Sequence, residues 1–369
     1  MAGDNSINNG RNGNSPKNGR NGHSSGNHAG QLFTATMSRY RNIILEEIRN
    51  LIAEKAFRRA LSSRMAEYPL RLGKGLRPAL CLATCQAYGG KLEHALNSAV
   101  ALELFHNAFL VHDDIEDESI HRRGEPTIYR KYGPAIAINV GDALSVLSLT
   151  PLLKNLEVVG LEKSLRIFRE IEKMTRESVD GQAMELEWVK KKYWNLSERS
   201  YFLMTNKKTC WYTCVTPFRI GAIIGGNRDV DLNFFNRLGF YMGVAFQIQD
   251  DILNLVGEEK RYGKELAGDI WEGKRTIMLI NLLRRSTARE KSKIVRILSK
   301  ARTEKTADEV EYILELMKRY QCLDRGRLIS KNFATKAKTL LEHEASRWPD
   351  SSHKRFLKDA IDYVIYREL

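Results

Sequence analysis

Two acidic pairs interrupt apolar helical stretches far apart in the chain, and any fold must find partners for them. The first lies in "LVHDDIEDESIHRRG", residues 110–124, and the second in "FQIQDDILN", residues 246–254. Asp113 is followed four positions later by Asp117, and Asp250 four positions later by Asn254. On a helix such residues sit one turn apart and about 40° round the axis, so each pair of oxygens shares a face. The flanks are apolar: Leu110, Val111 and Ile115 in one cluster, Phe246, Ile248, Ile252 and Leu253 in the other. A carboxylate among such neighbours is costly unless it is paired. Hard dications are the natural partners, because Mg²⁺ takes one or two carboxylates and completes its octahedron with water and substrate phosphates. Two matched oxygen arrays with Lys and Arg nearby predict a cage in which several Mg²⁺ ions hold a diphosphate. Solvated helix faces capped by ion pairs are the plainer alternative, and the repeated spacing and apolar flanks count against it.

The rest of the chain reads as helix. From Met37 the apolar residues recur with helical period, Ile44, Ile48, Leu51 and Ile52 falling on one face. The pattern predicts helices over 37–57, 76–88, 92–118, 134–153, 161–189, 197–223 and 230–256, with shorter ones over 275–284, 288–300, 307–319, 325–343 and 352–366. "YGG", "RGEP" and "GGNRD" mark turns between them. Only eight prolines, and no stretch alternating with period two, argue against a sheet. The expectation is an all-α chain with one domain over 36–369, behind a disordered Asn-, Gly- and Ser-rich tail over 1–35 that has nothing to bury. The charged, glycine-bearing connection 257–275 is long, as functional loops are.

A formal charge of +14 would suit nucleic acid or an anionic surface. No zinc-finger spacing, RNP-like aromatic pattern or polybasic block accompanies it, so no nucleic-acid partner is expected. The excess reads as a solvated basic surface, part of it surrounding phosphorylated small molecules. "GKGLRP" sets Lys74 and Arg77 beside a helix start, where cations and helix N-termini both attract phosphate. His106 lies two helical turns before Asp113, on the same face, which tilts it from a core histidine towards a phosphate donor. Cys81 and Cys85, like Cys210 and Cys214, are spaced too widely for a usual zinc pair, and all five cysteines read as buried small hydrophobes. The tail lacks both the apolar core of a secretory signal and the basic stripe of a transit peptide, so a cytoplasmic protein is expected. Residues 135–153 are membrane-like in hydropathy, but Asn139, Gly141 and Asp142 predict a buried core helix and no stable membrane insertion.

The order "GKGLRP", "DDIED…RRG", "GQAMELEW", "KKTCWYT", "FQIQDDILN" and "GKELAGDIWEGKRT" resembles the trans-isoprenyl diphosphate synthases, the polyprenyl synthetase family, from about residue 40 onward. The resemblance implies antiparallel helices around a deep central cavity, the isoprenoid synthase-type bundle, and a homodimer. It implies Mg²⁺-dependent head-to-tail condensation of isopentenyl diphosphate with an allylic diphosphate. Asp113, Asp117 and Asp250 match the metal ligands, with Asp114 and Asp251 supporting them. Arg122, Lys208 and Lys264 match the holders of the allylic diphosphate; Lys74, Arg77, His106 and Arg123 match those of isopentenyl diphosphate. Thr209 and Gln247 match oxygens facing the developing cation, and Lys274 a basic residue of the closing loop. Gln182 keeps the family's "GQ". Glu185 stands where Asp is usual, and Asn254 replaces the second motif's last Asp, with one charge lost. Phe109 and Ala108, four and five residues before Asp113, match the positions that set the floor of the product tunnel. One is large and one small, which points to a C20 product, with C15 next and longer chains last. A cyclising lyase on the same fold would need the metal cage but not the second basic set. A regulatory subunit would not need the acids.

Overall fold

The computed structural model describes residues 24–54, 57–71, 73–226, 230–256, 266–346 and 348–366. They form helices α1 (Ser24–Glu54), α2 (Arg59–Leu70), α3 (Leu76–Ala87), α4 (Leu92–Glu116), α5 (Ile128–Tyr132), α6 (Pro134–Leu147) and α7 (Leu149–Lys190). Then come α8 (Glu198–Thr205), a π-helical segment (Asn206–Val215), α9 (Thr216–Gly225) and α10 (Leu232–Val256). The chain closes with α11 (Gly268–Glu272), α12 (Ile277–Arg285), α13 (Ala288–Leu298), α14 (Ala307–Arg319), α15 (Cys322–Ala345) and α16 (Ser352–Tyr366). The one extended feature among the described residues is a hairpin pairing His121–Arg122 with Glu125–Pro126, at the turn expected there.

The all-α expectation holds, and its departures have physical causes. The boundary expected at residue 35 falls inside α1, because Phe33 is buried and packs against the rings of Phe356 and Tyr363, 5.0 and 5.1 Å away. The helix expected over 161–189 is present, and Gly160, at φ 78° and ψ 170°, separates it from a preceding helical stretch that begins at Leu149. The helix expected over 197–223 holds the ten-residue π segment, a wider coil of the kind found at functional sites. Residues 134–153 are not buried all round: Ile138, Val146, Leu149 and Leu153 are 43–61% exposed. The helical stretch 134–190 is long and apolar enough, by length and composition, to cross a membrane, and half of an apolar 18-residue segment within it is buried in the fold.

Two elements carry the acids. α4 is buried on nearly every side, Leu102, Leu104, Phe105 and Val111 included, so it runs through the centre against α3, α6 and α7. α10 packs instead on the π segment and α15. All five cysteines are buried free thiols, as expected.

Candidate active site

α4 and α10 face one cavity of about 730 Å³, and both acid clusters contribute to it. Asp113 comes from α4, Asp250 and Asp251 from α10, with Lys208, Thr209 and Gln247 between them.

Within each cluster the acids divide. Asp114 is fully buried behind the wall, accepting from Arg122 Nε and Nη2 at 2.6–2.8 Å and from the Tyr68 hydroxyl. Arg122 Nη2 also donates to Asp113 at 3.1 Å. The arginine that follows the acids thus neutralises them. Burial works against the Arg122 guanidinium, but Asp114 and Asp113 outweigh it and raise its pKa. Asp117 sits at the C-terminal cap of α4 and, unlike Asp113, does not itself line the cavity; Lys274 Nζ, which does, approaches its Oδ2 to 2.5 Å. Burial raises the Asp117 pKa more than Lys274 offsets.

On the other wall Asp251 is buried, accepting from Gln247 Nε2 (2.7 Å) and the Tyr201 hydroxyl (2.8 Å). Burial, with Asp250 adding to it, pushes its pKa up to about 7 against those two hydrogen bonds. Thr209 Oγ1 donates to Gln247 Oε1 at 2.9 Å, so the two expected cation-facing oxygens are joined. Asn254 keeps its helical register with Asp250 but does not line the cavity. Its Oδ1 accepts from the Asp269 backbone N–H at 3.0 Å, and Asp269 is among the residues that line the cavity.

The π segment brings Lys208 into this space. A side chain at Gly181 would put its Cβ 2.2 Å from the Lys208 backbone nitrogen, so the glycine of "GQ" lets the π segment lie against α7. Lys208 Nζ then reaches Glu185, and Asp113 at 3.4 Å. Glu185, the departure from the expected Asp, spans that gap. Burial opposes its charge, but Lys208 and Lys274 hold its pKa below the usual range.

The isopentenyl set gathers at the other end. Arg77 is buried, donating to Thr213 Oγ1 at 2.9 Å, lying 3.3 Å from His106 Nε2 and stacking 4.4 Å over the Tyr212 ring. Burial, then Arg77, Arg123 and Arg122, depress the His106 pKa well below the ordinary value, so the ring is neutral. With Nε2 accepting from Arg77, the proton falls on Nδ1. His106 Nδ1 and Arg77 Nε are buried with no partner among the described residues: two donors suited to an anion. Arg123 anchors on the carbonyl oxygens of Tyr68 (2.9 Å) and Arg71 (3.1 Å). A Cβ on Gly73 would meet its guanidinium at 2.7 Å, so the first glycine of "GKG" leaves room for Arg123 in this position. Burial and neighbouring arginines bring the Arg123 pKa down to about 10. Lys74 is exposed at the cavity rim, 5.8 Å from the Tyr363 ring.

Phe109 lines the cavity, edge-on to Tyr212 at 5.6 Å, whereas Ala108 is fully buried and does not line it. Lys264 lies outside the described residues. Glu103, Asp269, Arg275, Tyr201 and Tyr212 also line the cavity and were not anticipated. Glu103 had a signal: it lies three residues before His106 in helical register. Burial raises its pKa, Arg123 and Arg77 opposing. Asp269 had none beyond its place in the charged connection.

The polyprenyl synthetase profile matches residues 59–317. The chain belongs to the polyprenyl synthetase family. It is 35% identical over 254 residues to the geranylgeranyl diphosphate synthase of Sulfolobus acidocaldarius, covering 67% of this chain and 74% of that one. It is 29% identical to the short chain isoprenyl diphosphate synthase of Methanothermobacter thermautotrophicus, covering 80% of this chain and 87% of that one. The crystal structure of geranylgeranyl pyrophosphate synthetase from Pyrococcus horikoshii superposes with a TM-score of 0.80 at 31% identity, covering 92% of this chain and all of that one. This polyprenyl synthetase has the isoprenoid synthase fold and is a trans-prenyltransferase.

Proposed function

We propose that this polyprenyl synthetase joins isopentenyl diphosphate head-to-tail to dimethylallyl, geranyl or farnesyl diphosphate, with geranylgeranyl diphosphate as its main product. The observation that carries the reading is that Asp113 and Asp250 line one cavity beside a separate buried pair of anion donors, Arg77 Nε and His106 Nδ1. The second pair disfavours a lyase, which handles one diphosphate.

The donor set suits Mg²⁺. It consists of hard carboxylate oxygens, and among the described residues no three His, Cys, Asp or Glu side chains gather as a cage of their own. Such walls leave coordination sites for water and phosphate oxygens, as Mg²⁺ prefers. Asp113, Asp117 and Asp250 would hold the ions, which when bound neutralise the diphosphate and make it a better leaving group. Lys208, Arg122 and Lys274 orient the allylic diphosphate and take up negative charge as the carbon–oxygen bond breaks. Thr209 and Gln247 present oxygens to the allylic cation. Arg77, Arg123, His106 and Lys74 fix the second diphosphate so that its double bond lies against that cation, and proximity supplies much of the rate. Among the described residues no side chain of this site is an evident general base; in this scheme the departing diphosphate takes the proton.

The C20 product is supported by the geranylgeranyl synthases among the relatives and by the Phe109–Tyr212 contact in the cavity wall. Purified protein given isopentenyl diphosphate with each allylic starter should elongate to C20 only when Mg²⁺ is present. Phe109→Ala should add at least one further C5 unit, read by mass spectrometry. A cyclised hydrocarbon without elongation would replace this reading with the lyase.

A homodimer is the matching assembly. Leu149, Leu153, Leu156, Leu161 and Leu165 on α7, 42–65% exposed, form with Ile138 and Val146 of α6 an apolar set that a monomer rarely leaves uncovered. Light scattering should give twice the 42.3 kDa chain mass. Leu153→Glu should halve it, and a wild-type monomer at micromolar concentration would remove this assignment. Five free buried thiols fit a reducing, cytoplasmic setting.

A further inference from the structure

The turn 300–305 grips the segment that carries Lys274, from outside the cavity. Lys305, buried although charged, donates from Nζ to the carbonyl oxygens of Trp271 (2.7 Å) and Lys300 (3.0 Å). Arg302 Nη1 donates to Glu272 Oε1 at 3.2 Å. Glu272 Oε2 in turn lies 2.9 Å from Lys274 Nζ, and Lys274 Nζ lies 2.5 Å from Asp117 Oδ2. The four side chains of this row, Arg302, Glu272, Lys274 and Asp117, are only 7–14% exposed.

Charges so arranged are not independent. One ammonium is shared between two carboxylates, and screening by water is weak at this burial. Where Lys274 sits is set first by the pull of Asp117 and Glu272, the two carboxylates it touches, with Asp113 and Glu185 acting on it from farther away. Arg302 neutralises part of Glu272 and so reduces its pull. It also feels Asp117 and Glu118 directly.

We infer that Arg302 is a positioning residue for Lys274: by loading Glu272 it keeps the Lys274 ammonium on Asp117, and so tunes how readily that carboxylate accepts a dication. The inference rests on the proposed role of Asp117 as a metal ligand. Neither Arg302 nor Glu272 touches substrate in this scheme.

Opposite signs follow for two variants. In Arg302→Met, Glu272 loses the Arg302 charge and draws Lys274 towards itself, which releases Asp117. The Mg²⁺ concentration for half-maximal rate should fall about threefold, while kcat falls about tenfold because Lys274 is displaced. In Glu272→Gln the competing charge is gone, Lys274 stays on Asp117, and the half-maximal Mg²⁺ concentration should rise by about the same factor. Arg302→Lys keeps a cation in place and should return the Mg²⁺ requirement to within about twofold of wild type.

The readout independent of turnover is Mn²⁺ binding in the presence of inorganic pyrophosphate, followed by electron paramagnetic resonance. Affinity should rank Arg302→Met above wild type and wild type above Glu272→Gln. A shift of both variants in one direction, a loss of kcat in Arg302→Met with unchanged Mn²⁺ affinity, or failure of Arg302→Lys to restore would each overturn the proposal. Glu272→Gln is close to isosteric, so the ranking stays testable if Arg302→Met folds poorly. Wild-type elongation is scored separately: protein that gives the predicted Mn²⁺ ranking but does not elongate overturns the function and leaves this inference standing.

Discussion

Replacing Asp250 with asparagine should lower kcat about a thousandfold, the loss seen when a group that stabilises transition-state charge is removed. Asp250 is half-buried on the α10 wall and faces the cavity, so its charge acts on whatever occupies the space between the walls. Asparagine keeps the shape and one oxygen and removes the charge, which separates electrostatics from packing. Because the residue is only half-buried, the melting temperature should move by no more than a few degrees, as for substitutions costing about 1 kcal/mol. Steady-state rates at saturating substrates, with a thermal melt on the same preparation, test both parts. A variant within about tenfold of wild type in kcat would show that the α10 wall carries little of the charge stabilisation.

Arg77→Ala should raise KM for isopentenyl diphosphate about a hundredfold and leave KM for the allylic substrate nearly unchanged. Hydrogen bonds to charged groups are worth about 1.5–3 kcal/mol each, and about 2.7 kcal/mol corresponds to that factor. The selectivity follows from position. Arg77 contacts Thr213, His106 and Tyr212, whereas Arg122 and Lys208 contact the acids. Arg77→Lys should recover only part of the loss, since a lysine cannot reproduce a planar group that stacks on Tyr212 and donates sideways to Thr213. Equal rises in both KM values would mean that the two anion sites are not separate.

How much of this was legible in the sequence differs from residue to residue. Asp113 and Asp250 were, because helical spacing fixes a face and both helices have a clear register. Asn254 was misread by the same rule: it lies near the end of α10, where its oxygen caps the Asp269 N–H, and a spacing argument does not register a chain turning back. Ala108 was placed in the tunnel floor by position alone; its neighbour Phe109 reaches the cavity and Ala108 faces the core. The π segment was invisible because a wider coil leaves composition and apolar spacing nearly unchanged over ten residues. Phe33 was hidden by its surroundings. A single aromatic beside an Asn- and Gly-rich stretch carries little weight until Phe356 and Tyr363, more than three hundred residues away in sequence, are seen to stack on it. Glu272 and Arg302 needed the third dimension altogether, since nothing local ties residue 302 to residue 117.

The ties from Arg122 to Asp113 and Asp114, and from Lys274 to Asp117, bear on how the polypeptide is made. Domains whose liganding side chains repel one another must capture an ion in order to fold. Here the counter-charges are encoded in the same chain, so a newly synthesised molecule can reach its final shape whatever the local supply of salts. In the proposed reaction metal would govern when the catalyst works, while folding draws its counter-charges from Arg122 and Lys274.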